Sequence, residues 1–113
     1  MVDVSEGIRE RPPVLVYVAN QKVAAQLCNI LGKHEFALKH IDDRHKFTEE
    51  LRQNRYAAIV TNTAQIAEAR KHARKPIINY EIFVHDRPDE DNRPRIHFDT
   101  AAFVQRIRFH VAD

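Results

Sequence analysis

Four polar side chains stand just past the ends of apolar runs. Asn20 follows residues 14–19, Asn62 and Thr63 follow residues 56–61, and Glu81 follows residues 76–80. If those runs are strands of an open α/β sheet, the four residues share its carboxyl edge, where ligands and reactions sit. Two amides, a hydroxyl and one carboxylate suit hydrogen bonding to a small molecule or nucleotide. They suit phosphoryl or metal chemistry badly. Asn62 is an amide where a carboxylate would be needed, and Glu81 alone supplies too few oxygens for Mg²⁺. The chain has only Gly7 and Gly32, so no glycine-rich phosphate loop is present.

Other reactive residue types are scattered. The seven histidines are His34, His40, His45, His72, His85, His97 and His110, and none stands at a tight ligand spacing from another His or from Cys. His40 and His45, with Asp42 and Asp43, come nearest to a cluster and read as a solvated face. Cys28 falls beside the apolar stripe of a helix and reads as a half-buried small residue rather than a nucleophile. Residues 70–75 form a basic run that, with Arg106 and Arg108, could meet nucleic acid or an acidic protein. Aromatic residues do not interleave with it as a single-strand binder requires.

The elements that would position these residues follow from hydrophobic spacing. Residues 14–19 and 56–62 are short apolar runs rich in β-branched side chains, as expected of central parallel strands buried on both faces. Residues 36–41, 76–80 and 95–98 read as three more strands. Asn20 caps a helix over about 21–31, with Val23, Leu27, Ile30 and Leu31 on one stripe and Gly32 as its carboxyl cap. Asp42 or Asp43 caps a helix over about 44–53 carrying Phe47 and Leu51. A third helix covers 64–74, with Ile66, Ala67, Arg70 and Ala73 at helical spacing and Lys71, Arg74 and Lys75 in its last turn. Asp99 caps a fourth, striped by Phe103, Val104, Ile107 and Val111. Residues 83–94 carry two prolines and many charges and read as an exposed loop. Strands alternating with helices argue for a parallel sheet covered on both faces.

Length and composition set limits. The 113 residues make one domain, expected over 14–112 behind a polar tail at 1–13. A net charge of +2 gives little pull towards nucleic acid. One cysteine excludes an internal disulfide and fits a reducing, cytoplasmic setting. Neither a membrane-length apolar run nor the apolar core of a signal peptide is visible.

With its elements in this order, the chain resembles the receiver domains of bacterial two-component signalling, over about residues 13–112. Residues 14–23 look like that family's first strand and first helix, residues 55–62 like its third strand, and residues 97–107 like its last strand end and last helix. The resemblance implies a CheY-like, flavodoxin-like, doubly wound five-stranded parallel sheet, with the fourth helix replaced by the loop at 83–94. Receivers accept a phosphoryl group on an aspartate ending the third strand, beside a divalent cation held by acids near the end of the first. A lysine and a Ser/Thr hydroxyl complete the site, neutralising and binding the phosphoryl oxygens. Here the acidic pair falls on Val18 and Ala19, reaching at best Asn20, and the nucleophile position is Asn62. The hydroxyl position falls near Tyr80 or Glu81, and the lysine position near Ile96, with His97 where proline is common.

The resemblance therefore implies the scaffold without the reaction: a pseudo-receiver that binds partners. Asn20, Asn62, Thr63 and Glu81 would be its degenerate phosphoacceptor pocket. The first helix (Gln21, Val23, Gln26) and the last helix (Phe103, Arg106, Phe109, His110) would be its docking faces. A kinase, phosphotransfer or regulatory protein, or a second copy, is the expected partner. Catalysis, a cofactor, a metal site, a membrane and nucleic acid are not expected. The competing reading is a small-molecule or nucleotide-binding α/β domain with its pocket at the strand ends. A third is a regulator that meets DNA through the basic helix end.

Overall fold

Val14, Leu15 and Val16 are wholly buried, and so are all four residues of the neighbouring strand over Ala58–Thr61. Side chains that alternate between the two faces and are buried on both require a covered sheet. The computed structural model describes residues 12–88 and 94–111 and provides it. Strands β1 (Val14–Tyr17), β2 (Leu38–His40), β3 (Ala58–Thr61) and β4 (Ile77–Asn79) form one parallel sheet in the order β2-β1-β3-β4. Helices α1 (Gln21–Lys33), α2 (Arg44–Gln53), α3 (Thr63–Arg70) and α4 (Thr100–Val111) cover it.

The two faces have separate cores. Val14, Val16, Val18, Ala58, Val60 and Ile78 face α1 and α4, meeting Ala24, Leu27, Leu31, Phe103, Val104 and Ile107. Leu15 and Ile59 face α2 and α3, meeting Phe47, Leu51, Tyr56 and Ala69. Each large aliphatic side chain buried this way contributes about 1.5–3 kcal/mol. Tyr17 stacks on Phe47 at a centroid distance of 4.2 Å, tying β1 to α2.

Among the described residues the sheet has four strands, not the expected five. The fifth strand forms, as β6 (Pro94–Phe98), but it pairs antiparallel with β5 (Val84–Pro88) in a separate two-stranded hairpin. The supposed loop therefore begins as a strand, entered through a 3₁₀ turn over Tyr80–Phe83; its most charged stretch, 89–93, lies outside the described residues. The physical reason is aromatic. Phe83 is buried and meets Phe103 edge-on at 5.6 Å, and Phe98 packs on Phe103 at 5.3 Å. The Asp99 amide donates to the Phe83 carbonyl at 2.8 Å. Burying both ends of the segment on α4 holds the two strands together at their base. Most of the expected tail, residues 1–11, and Ala112 also lie outside the described residues.

Helix ends differ from expectation in two places. α3 stops at Arg70, so Lys71, Arg74 and Lys75 lie beyond its last turn, and its buried residue is Ala69, whereas Ala67 is exposed. Pro76 disfavours helical backbone just before it, and the chain must straighten into β4. In α1, Gly32 is helical, and the left-handed residue is Glu35, with φ 66°. The Glu35 amide donates to the Gly32 carbonyl at 3.1 Å and the Phe36 amide to the Leu31 carbonyl at 3.0 Å. That is a Schellman end with glutamate where glycine is usual. The helix's glycine thus sits three residues before the place that needs it.

A Cβ at Gly32 would meet nothing within 4 Å. Gly32→Ala should therefore raise the unfolding free energy by about 0.5–1 kcal/mol. Glu35→Gly should add roughly 1 kcal/mol by relieving the left-handed backbone. Urea midpoints of the two single variants and the double variant check this, and a drop in either single variant would contradict the assignment of this helix end.

Candidate functional site

The parallel register sets Tyr17, Thr61 and Asn79 level across three strands, so the loops that follow leave the sheet side by side. Thr61 is fully buried, and its hydroxyl donates to the Tyr17 carbonyl at 2.6 Å. One residue on, the Ala19 amide donates to Asn62 Oδ1 at 3.3 Å. Asn62 begins α3 but gives it no side-chain cap. Glu81 does so from the next loop: its Oε1 accepts the Thr63 amide at 2.6 Å. Thr63 Oγ1 in turn accepts from Asn79 Nδ2 at 2.8 Å, and Asn79 Oδ1 accepts the Glu81 amide at 3.0 Å.

The result is a solvent-facing ring of hydrogen bonds whose members satisfy one another. Thr63, first through its amide and then through its hydroxyl, holds the Glu81 carboxyl below the usual carboxylate range, against a smaller opposing effect of burial. A carboxylate at the positive end of α3 fills the place an external anion would take. Asn20 stands apart. Its Oδ1 accepts the amides of Lys22 at 3.0 Å and Val23 at 3.2 Å, so it serves as the cap of α1. Of the four residues expected to share a pocket, Thr63 and Glu81 bond directly and Asn62 joins through the backbone. Asn79 lies outside the expected set, although a polar residue ending an Ile-Ile pair was the available signal. Among the described residues, no group of three or more His, Cys, Asp or Glu side chains converges, and His40, His45, Asp42 and Asp43 form no such group.

The expected docking residues fall into two surface patches, with Phe103 apart from both. Gln21 and Gln26 are exposed, and Val23 lines a largely apolar groove of about 400 Å³ with Ile30, Tyr80, Val84 and Phe98. Arg106 is exposed, Phe109 is 76% exposed, and the half-buried His110 ring meets Phe109 at 5.1 Å. Phe103 has no exposure at all: it is the residue on which Phe83 and Phe98 pack, so it cannot dock a partner. The groove touches Thr100, at the start of α4, whereas Phe109 lies about 14 Å further along that helix. A second cavity, of about 260 Å³, opens at the amino end of the sheet between Val14, Phe36, Tyr56 and His110, away from the hydrogen-bonded ring. No helix among the described residues is long and apolar enough to cross a membrane. No family model, curated protein or solved structure matches the chain.

Because the Glu81 carboxyl titrates lower in the folded protein, its contribution is complete above the unfolded-state value of about 4.3. It fades as pH falls through the folded value. Glu81→Ala should cost about 0.5–1 kcal/mol at neutral pH, with screening at this exposed site keeping the figure low. Wild-type and variant stabilities, read from denaturant midpoints, should converge on acidification below pH ~4. A difference that persisted undiminished in acid would contradict the capping role.

Proposed function

We propose that the chain is a receiver-like domain that cannot be phosphorylated and that acts by protein–protein contact in cytoplasmic bacterial signalling. The observation that carries this reading is the Ala19 amide bonded to Asn62 Oδ1. At the level where a phosphorylated aspartate and its metal would meet, an amide side chain is tied to the neighbouring strand's backbone. The sheet order β2-β1-β3-β4 is consistent with a flavodoxin-like scaffold. Val18, at one of the acid positions of the resemblance, is buried in the core, and the one carboxylate bonded into this edge, Glu81, is engaged at the start of α3. The ring of satisfied hydrogen bonds weighs equally against the small-molecule reading, since a ligand there would have to break bonds already made.

Partner contact falls to what stays exposed: the apolar groove beside Val23 and Gln26, and the patch around Arg106 and Phe109. An exposed aromatic beside an arginine is the composition that binding hot spots favour.

Acetyl phosphate with Mg²⁺ should leave both the wild type and Asn62→Asp without an acyl phosphate, read by intact mass, because restoring one acid does not restore the cation's ligands. Partner capture from the cells of origin should weaken roughly tenfold or more for Val23→Arg or Phe109→Ala, with amide spectra otherwise unchanged. Capture unaffected by both changes would refute these surfaces.

A further inference from the structure

The hairpin creates a pairing that chain spacing conceals. The register sets His85 directly opposite His97, and both residues are exposed. Directly opposed residues of an antiparallel pair point to the same side of the ribbon, with Cβ atoms about 4.5–5.5 Å apart. That separation lets two imidazoles converge on one ion at the Zn–N length of about 2.0–2.1 Å. The base of the hairpin is fixed close by. Just inward, a backbone bond of 2.8 Å joins Phe83 to Asp99, and Phe98 packs on Phe103. The two rings are thus held on a short, anchored ribbon rather than on a free loop.

We propose that His85 and His97 form a two-imidazole site for a borderline divalent cation of the Zn²⁺ class. Imidazole nitrogen suits Zn²⁺, Ni²⁺ and Cu²⁺, whereas Mg²⁺ requires oxygen ligands. Two ligands from one chain leave the remaining positions of a tetrahedral ion open to water or to a donor from elsewhere. The site is therefore an exchangeable one, unlike a closed structural centre. Arg87 and Arg95 form the next pair but one in the register, further out. The Asp99 carboxylate, on the inner side, accepts the Ala102 amide at 3.1 Å and is engaged as the cap of α4. Once one ring has bound, the second binds the same ion as an intramolecular step, so loss of either ring should remove most of the affinity. Ion binding would also add a cross-strand link between the two strands. This site is independent of the proposed signalling role.

The test is a Zn²⁺ titration of the full chain at neutral pH, followed through the ring protons of all seven histidines by NMR. His85 and His97 should respond together and saturate at one equivalent, ahead of His34, His40, His45, His72 and His110. His85→Asn and His97→Asn should each weaken binding roughly tenfold or more, and His45→Asn should leave it unchanged. The amide signals of Phe83 and Phe98 report whether each variant keeps the hairpin. Mg²⁺ at the same concentrations should leave the rings unmoved. Equal responses at all exposed histidines, or a His97→Asn variant in which His85 binds as tightly as before, would overturn the site.

Discussion

Everything at the carboxyl edge depends on the level parallel register of β1, β3 and β4. It brings three loop starts together, and each carries backbone groups that the sheet cannot satisfy. The chain answers with side chains: Thr61 for the Tyr17 carbonyl, Asn62 for the Ala19 amide, and Glu81 for the Thr63 amide. Asn79 then links the third loop to the second. A site that answers its own orphan groups has little left for a ligand. The same edge that in an open α/β sheet serves chemistry here serves to hold loops.

The hairpin is the other departure, and it follows from where the aromatic residues sit. Phe83 and Phe98 bracket the charged stretch, and both find Phe103 on α4. Folding them onto one helix brings β5 and β6 antiparallel and draws β6 away from the edge of β4, where a fifth parallel strand would pair. This geometry also shapes the groove beside α1, because Tyr80, Val84 and Phe98 form one wall while Val23 and Ile30 form the other. The groove beside α1 and the separation of β6 from the main sheet thus have one cause.

Much of this fold is legible in the sequence. β1 and β3 are visible as β-branched runs, and α1, α2 and α4 as apolar stripes behind Asn20, one of Asp42 and Asp43, and Asp99, because those signals are local. The hairpin is not. Its strands are short and rich in charge, Pro88 and Pro94 read as loop, and the burial of Phe83 depends on a helix that comes later in the chain. The stripe containing Phe103, Val104 and Ile107 places Phe103 in the core; assigning it to a docking face sets that periodicity aside, and the structure corrects it. At the site, the residue types are evident and the bonds among them are not. Nothing local shows that Glu81 reaches back to α3 or that Asn79 acts as a hub, since both contacts depend on the alignment of β4 with β3. The pairing of His85 with His97 is hidden for the same reason: it depends on the register of two strands.

The measurement that reaches the central claim most directly is a titration with Mg²⁺ and beryllium fluoride, a phosphoryl mimic, followed by backbone amide shifts. If the carboxyl edge is closed by its own hydrogen bonds, the amides of Ala19, Asn62, Thr63 and Glu81 should stay where they are throughout. Saturable shifts clustered on those four amides would mean that the edge still admits an anion and a cation, and would contradict a carboxyl edge closed by its own side chains.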